Sequence, residues 1–243
     1  MPFTFSHPAF VLPFCKLNSR YVSASGLIMG SMAPDFEYFI HMRMQREHGH
    51  TIAGAFYYDL PLTFICCLLF HWLVRDGLIQ NLPKMVREKY APFLGMNWWL
   101  WVRTHWFVFI LSALAGIFSH FLVDAFTHTN GYFVQYIPYL QGETHFLGRT
   151  FPTPDFWQMM TTLLGAAFIV LAVILPTNLR FNWLEFKERL KYYSTVGGVM
   201  VFIVLIRGIQ SFGDLIATAI AGGLIGLMVA PVLLRIWRKQ SRV

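Results

Sequence analysis

Charge is scarce in this 243-residue chain: Asp, Glu, Lys and Arg make up 13% of it, against about 25% in ordinary soluble domains. A water-soluble globule of this size needs more polar surface than that. Cysteine is scarce too. Cys15, Cys66 and Cys67 form no CxxC pair, which argues against a disulfide framework or a thiolate zinc site. Cys66 and Cys67 sit in an apolar run, where Cys behaves as a small hydrophobe. There is no GxSxG, no phosphate-binding glycine loop before Lys-Ser/Thr and no dinucleotide glycine fingerprint. A Ser nucleophile and nucleotide-dependent chemistry therefore have no motif behind them. Met1–Phe14 lacks a basic cluster followed by a clean apolar core, and Pro8 and Pro13 interrupt it. A cleaved signal peptide is not expected there. Internal repeats and low-complexity stretches are also missing.

What the chain has is apolar bulk. Hydrophobic residues make up 56% and Phe alone occurs 24 times, with mean hydropathy +0.51. Such a surface can face lipid. The expected fold is all-α: a polytopic membrane helix bundle of five or six transmembrane helices. The apolar runs are Leu60–Val74, His105–Thr127, Gln158–Leu175, Val196–Ile209 and Leu215–Leu234. The first is short for a span unless Ile52–Tyr58 extends it, while the second has about the length a bilayer requires. Tyr21–Ile40 is a sixth candidate, interrupted at Pro34-Asp35, so it reads as either a span or a broken helix. Gly222, Gly223 and Gly226 suit close helix packing. Trp98, Trp99 and Trp101 suit an interfacial belt.

Loop charge sets the expected orientation. Arg75, Lys84, Arg87, Lys89 and Arg103 fall between two runs; Arg180, Lys187, Arg189 and Lys191 fall between two others; Arg235, Arg238, Lys239 and Arg242 end the chain. The 129–157 loop carries only Arg149. Basic loops prefer the cytoplasm. Loops 75–103 and 177–193 and the C-terminus are therefore expected inside, and 129–157 outside. The net charge of +7 reads as this loop bias. The basic residues do not interleave with aromatics on one face, so no nucleic-acid partner is expected; membrane lipids are.

Few polar residues interrupt the apolar runs, and they carry the chemistry. In His120-Phe-Leu-Val-Asp124-Ala-Phe-Thr-His128 the three polar groups recur every four residues, along one stripe of a helix. An ionisable group deep in lipid costs roughly 2.5–3.5 kcal/mol on insertion scales, so these residues face the bundle interior and need partners. Imidazole and carboxylate together suit zinc. The same stripe also fits a His–Asp pair pinning two helices, or a proton relay. Gly30-Ser-Met-Ala-Pro34-Asp35-Phe-Glu37 puts Asp35 at a chain break, where it either reaches a ligand or caps the following helix; Glu37 is the weaker assistant. Arg46-Glu47-His48-Gly49-His50 precedes the first run, and its histidines are either ligands or solvated loop residues. Asp59 is a possible further ligand or supporting acceptor. His7 alone says little. His41, His71 and His105 read as packing or interfacial residues, and His145 as a loop residue or substrate contact.

These segments together resemble a bacterial family catalogued as domain of unknown function 4184. MPFTFSHPAFVLPF, GSMAPDFEYF, a His before the DLP-initiated run, and HFLVDAFTH carry the resemblance densely over residues 1–131. The order His, Pro-Asp, His, HxxxDxxxH also resembles proteins described as inner-membrane metal-dependent hydrolases. More remotely it is similar to the helical zinc-dependent phospholipase C and nuclease fold. The resemblance implies His7, Asp35, His50, His120, Asp124 and His128 as metal ligands. It also implies Asp35 or Asp124 as general base, and one or two zinc ions. The implied activity is hydrolysis of an ester or phosphoester, lipid-linked because the site would open at headgroup level. A metal-site half at 1–131 and transmembrane helices at 132–243, forming one structural unit, are expected in the bacterial inner membrane. A proton-coupled transporter and a non-catalytic membrane scaffold are the competing readings of the same residues.

Overall fold

The computed structural model describes residues 4–174 and 183–240. The expected inside loop 177–193 falls partly outside these residues, as does the end of the Gln158–Leu175 run; Arg242 lies wholly outside. Five helices among the described residues are long and apolar enough to cross a membrane: Ile52–Asn81, Trp106–Thr127, Thr153–Val173, Arg189–Arg207 and Phe212–Trp237. The chain is an all-α, multi-pass membrane protein. Its large exposed side chains are Leu, Phe, Ile, Val and Trp along these helices, as lipid contact requires.

Elements are numbered α1 (Pro8–Val11), α2 (Ala24–Gly30), α3 (Ala33–His41), α4 (Ile52–Asn81), α5 (Lys84–Tyr90), α6 (Trp98–Thr104), α7 (Trp106–Thr127), β1 (Glu143–Phe146), β2 (Arg149–Pro152), α8 (Thr153–Ile174), α9 (Trp183–Arg207) and α10 (Phe212–Gln240). By contact density the chain forms two units, each discontinuous in sequence: residues 1–35, 48–64 and 105–173, and residues 36–47, 65–104 and 174–243. The first unit thus gathers the N-terminal segment, the start of α4, α7, the hairpin and α8.

Tyr21–Ile40 is broken rather than one span. Ser23 caps α2 by accepting from the Gly26 N–H at 3.2 Å. The chain turns at Ser31-Met32, and Pro34 sits in the first turn of α3, where its missing N–H costs nothing. The first long helix exceeds the Leu60–Val74 run because it continues through two π-helical turns, Ala55–Asp59 and Phe70–Val74. Asp59 is fully buried. Arg75 is buried too, donating from Nε to Asp76 at 2.7 Å and from Nη1 to the Met96 carbonyl at 2.7 Å. The Arg75 charge, which reads as a helix end, is therefore absorbed by partners within the fold. Trp98 departs from the expected belt: it is buried and stacks on His71 at 4.9 Å and 7°, while Trp99 is exposed. The 129–157 loop holds the antiparallel pair β1–β2, joined through Leu147 and Gly148 with φ 50° and 74°. That geometry belongs to a two-residue turn matched to strand twist.

Within the first unit, α2 lies parallel to α7. A Cβ added at Gly26 would meet Phe109 at 3.1 Å; one at Gly30 would overlap the Ala113 backbone, and one at Gly116 would overlap the backbone of Leu27 and Ser31. The helices touch main chain to main chain, as small residues permit. The Ser23 N–H also donates to Ser112 Oγ at 2.9 Å. Gly116→Ala is expected to destabilise the protein by about 1–3 kcal/mol through overpacking. Gly198→Ala, where a Cβ meets nothing within 4 Å, should leave stability unchanged or raised. Thermal unfolding of the two variants in detergent checks the contrast, and equal behaviour would refute the close packing.

Candidate metal centre

Four stretches of the first unit supply the site. The 3-10 turn Thr4–Ser6 leads into His7, and both are buried. This turn is held against α8, where a Cβ on Gly165 would meet Ser6 at 3.0 Å. Asp35 projects from the first turn of α3. His50 precedes α4 in a left-handed conformation, φ 60°, just before Thr51, which caps α4 by accepting from the Gly54 N–H at 2.8 Å. His120 and Asp124 come from adjacent turns of α7.

Their side chains converge. His50 Nε2 lies 3.1 Å from His120 Nε2, 3.4 Å from Asp35 Oδ1 and 3.3 Å from Asp124 Oδ2. His120 Nε2 lies 3.7 Å from Asp35 Oδ1 and 3.4 Å from Asp124 Oδ2. His7 stacks on His120 at 3.8 Å between ring centroids, with its Nε2 3.8 Å from Asp124 Oδ1. Two trios have ligand atoms mutually within 4.8 Å: His7, Asp35 and His120, and His50, His120 and Asp124. Five of the six expected ligands therefore meet in one pocket.

Supporting bonds orient them. His120 Nδ1 donates to the Ser31 carbonyl at 2.9 Å. That fixes the tautomer and leaves the Nε2 lone pair facing the cluster. Thr4 Oγ1 donates to Asp35 Oδ2 at 2.7 Å, so Asp35 turns only Oδ1 toward the histidines. Asp35 thus serves the cluster rather than ending there as a simple helix cap. Thr4 and the Ser31 carbonyl were not among the expected site residues. Thr4 does lie in the N-terminal motif, but no spacing rule points to its hydroxyl.

His128 stands apart. The helix ends at Thr127, and His128 is extended at φ −108° and ψ 141°, so the four-residue stripe stops one step short. Its Nδ1 lies 3.5 Å from Asp124 Oδ1 and its Nε2 3.2 Å from Gln158 Nε2. It adjoins the cluster through Asp124 and belongs to neither trio. His48 faces the Tyr57 hydroxyl at 3.2 Å. Glu37, in the other unit, accepts from the Glu47 N–H at 2.6 Å. The Asp59 carbonyl accepts from Thr63 at 2.7 Å, and Asp59 too is in neither trio. His145 pairs with Thr150 across the exposed hairpin at 2.8 Å.

The polar bookkeeping of the pocket suits a cation. Both ring nitrogens of His7 and Asp124 Oδ1 are buried with no hydrogen-bond partner among the described residues. A buried polar group left so costs about 1–3 kcal/mol, and a metal ion would take up the one lone pair that a neutral His7 imidazole offers. Burial, then repulsion from His120, pushes the His7 pKa down to about 3, so its imidazole is neutral with a lone pair to give. For His50 burial acts downward too, but hydrogen bonding to Asp124 and Asp35 prevails and holds the pKa above its usual value.

A family model described as Domain of unknown function (DUF4184) matches residues 1–232. The match spans all five long helices but for the end of the last, and every residue of the cluster. The chain belongs to this family. No curated protein and no solved structure matches it.

Thr4→Val removes the donor to Asp35 Oδ2 and should cost about 1–3 kcal/mol, because the carboxylate oxygen is left unsatisfied. Thr4→Ser should restore most of it. Thermal unfolding of both variants tests this, and a Val variant as stable as wild type would show that the hydroxyl does not hold Asp35.

Proposed function

We propose that this protein is a zinc-dependent hydrolase of the bacterial inner membrane, acting on an ester or phosphoester at the outer membrane face. The observation that carries the reading is the convergence of His7, Asp35, His50, His120 and Asp124, from separated stretches of chain, with the His7 ring nitrogens and Asp124 Oδ1 buried without hydrogen-bond partners among the described residues. A pair that merely pinned two helices would not need five such groups. A bound divalent cation supplies Lewis acidity and lowers the pKa of water to near neutrality.

The residues divide the remaining work. His50, His120 and Asp35 Oδ1 would hold the ion, with His7 beside them. Asp124 offers Oδ2 to the same point, while its Oδ1 is free of hydrogen bonds among the described residues. Asp35 has its second oxygen committed to Thr4. Asp124 is therefore the better general base, since Oδ1 can receive a proton from water. His128, 3.5 Å from that oxygen and partly exposed, is a partner for Asp124 rather than a ligand.

Loop charge supports a cytoplasmic C-terminus. With α7 entering from the inner face, its end at Thr127 and the following His128 fall near the outer one, and His120, with the His50 ring beside it, lies roughly 10 Å deeper than Thr127 at 1.5 Å rise per residue. The parallel course of α2 and α7 supports placing Lys16 and Arg20 inside. A site opening at headgroup level would favour a lipid-linked substrate, cleaved in the manner of a phosphodiesterase or phospholipase.

Detergent-purified wild type is expected to carry zinc by elemental analysis and to hydrolyse bis-p-nitrophenyl phosphate, and His120→Ala to lose both. Metal-free wild type that drives proton flux in liposomes would overturn the reading in favour of a transporter. Metal retained in full by His120→Ala would also overturn it.

A further inference from the structure

We infer that the pocket binds a single divalent cation, and that its two trios are overlapping halves of one coordination sphere rather than two metal sites. This deepens the metal reading above and rests on it.

The first argument is lone pairs. Both trios include His120. An imidazole has two nitrogens, and Nδ1 of His120 is occupied by the Ser31 carbonyl at 2.9 Å. Only Nε2 remains, with one lone pair, which one ion takes. Two ions could not both use it.

The second argument is distance. Among four donor atoms, His50 Nε2, His120 Nε2, Asp35 Oδ1 and Asp124 Oδ2, the five separations that involve a histidine are 3.1, 3.4, 3.3, 3.7 and 3.4 Å. Bonds of about 2.1 Å to one central ion place neighbouring donors roughly 3.0 Å apart in an octahedron and 3.4 Å apart in a tetrahedron. These separations lie close to the edges of one such polyhedron. Paired catalytic ions lie about 3.5–4 Å apart, which these four donors leave no room for within their own shell. His7, 3.8 Å from Asp124 Oδ1, borders the same sphere.

The third argument is charge. Two carboxylates and neutral imidazoles balance one dication. A second dication would leave two positive charges uncompensated in a buried pocket, which desolvation penalises heavily.

The test uses full-length protein in detergent, stripped with chelator and reloaded with Co²⁺ alone. The expected ratio is one Co²⁺ per chain, with the electron paramagnetic resonance signal of an isolated high-spin ion. His7→Ala and His50→Gln should each weaken that one ion at least tenfold, with no half-loss. A ratio near two, a spin-coupled pair, or variants that each lose one of two ions would overturn the inference and leave the metal reading standing. Wild type that takes up no Co²⁺ would overturn both. The wild-type ratio and spectrum decide the matter even if a variant fails to fold.

Discussion

The hydrogen bond from His120 Nδ1 to the Ser31 carbonyl is the constraint on which the site depends. It exists only because Ser31 ends the α2 segment at a point where that helix touches α7 through backbone. Gly26, Gly30 and Gly116 make the contact possible, since a Cβ at any of them would meet the opposing helix. With lipid on the outside there is no hydrophobic force to draw helices together, so close packing and interhelical hydrogen bonds do it. The same approach of two helices thus stabilises the unit and selects the tautomer of the deepest histidine. Moved one residue along α7, the imidazole would face a different direction and the carbonyl would lose its donor.

Around that bond the fold brings in its polar groups with supporting partners. Thr4 holds one oxygen of Asp35 and leaves the other for the cluster. The left-handed turn at His50 re-aims the chain just before a capped helix start. Such a conformation is uncommon outside glycine, and strain of this kind concentrates at functional sites. Elsewhere in the chain buried charge is handled differently. Arg75 is matched by Asp76 and a carbonyl, a closed arrangement with nothing left to give. His7 and Asp124, by contrast, retain buried atoms without hydrogen-bond partners among the described residues. That difference separates a structural ion pair from a candidate ligand site.

Much of the architecture was legible in the sequence. Apolar runs too long and too poorly charged for a soluble domain imply membrane helices, because backbone groups in lipid must be satisfied within a helix. Their ends were less legible. Leu60–Val74 read short because Asp59 and Arg75 look like termini, yet the helix runs through both on π-helical turns. His128 read as the third step of a helical stripe, yet the helix ends before it. In each case the backbone departed from the regular α-helix that the local pattern implies.

The sequence alone determined the class of fold and the residue types available for chemistry. Hydropathy is a local property, and the four-residue spacing of His120 and Asp124 follows from helix geometry without reference to any neighbour. Only the tertiary structure decided that His7, Asp35 and His50 join them, that Thr4 and the Ser31 carbonyl orient the cluster, and that His48, Glu37 and His128 stand outside both trios. Those contacts link residues as far apart in sequence as His7 and Asp124. They depend on which helix faces touch and at what depth, and backbone-to-backbone packing at glycines sets that, not any pattern within a single segment.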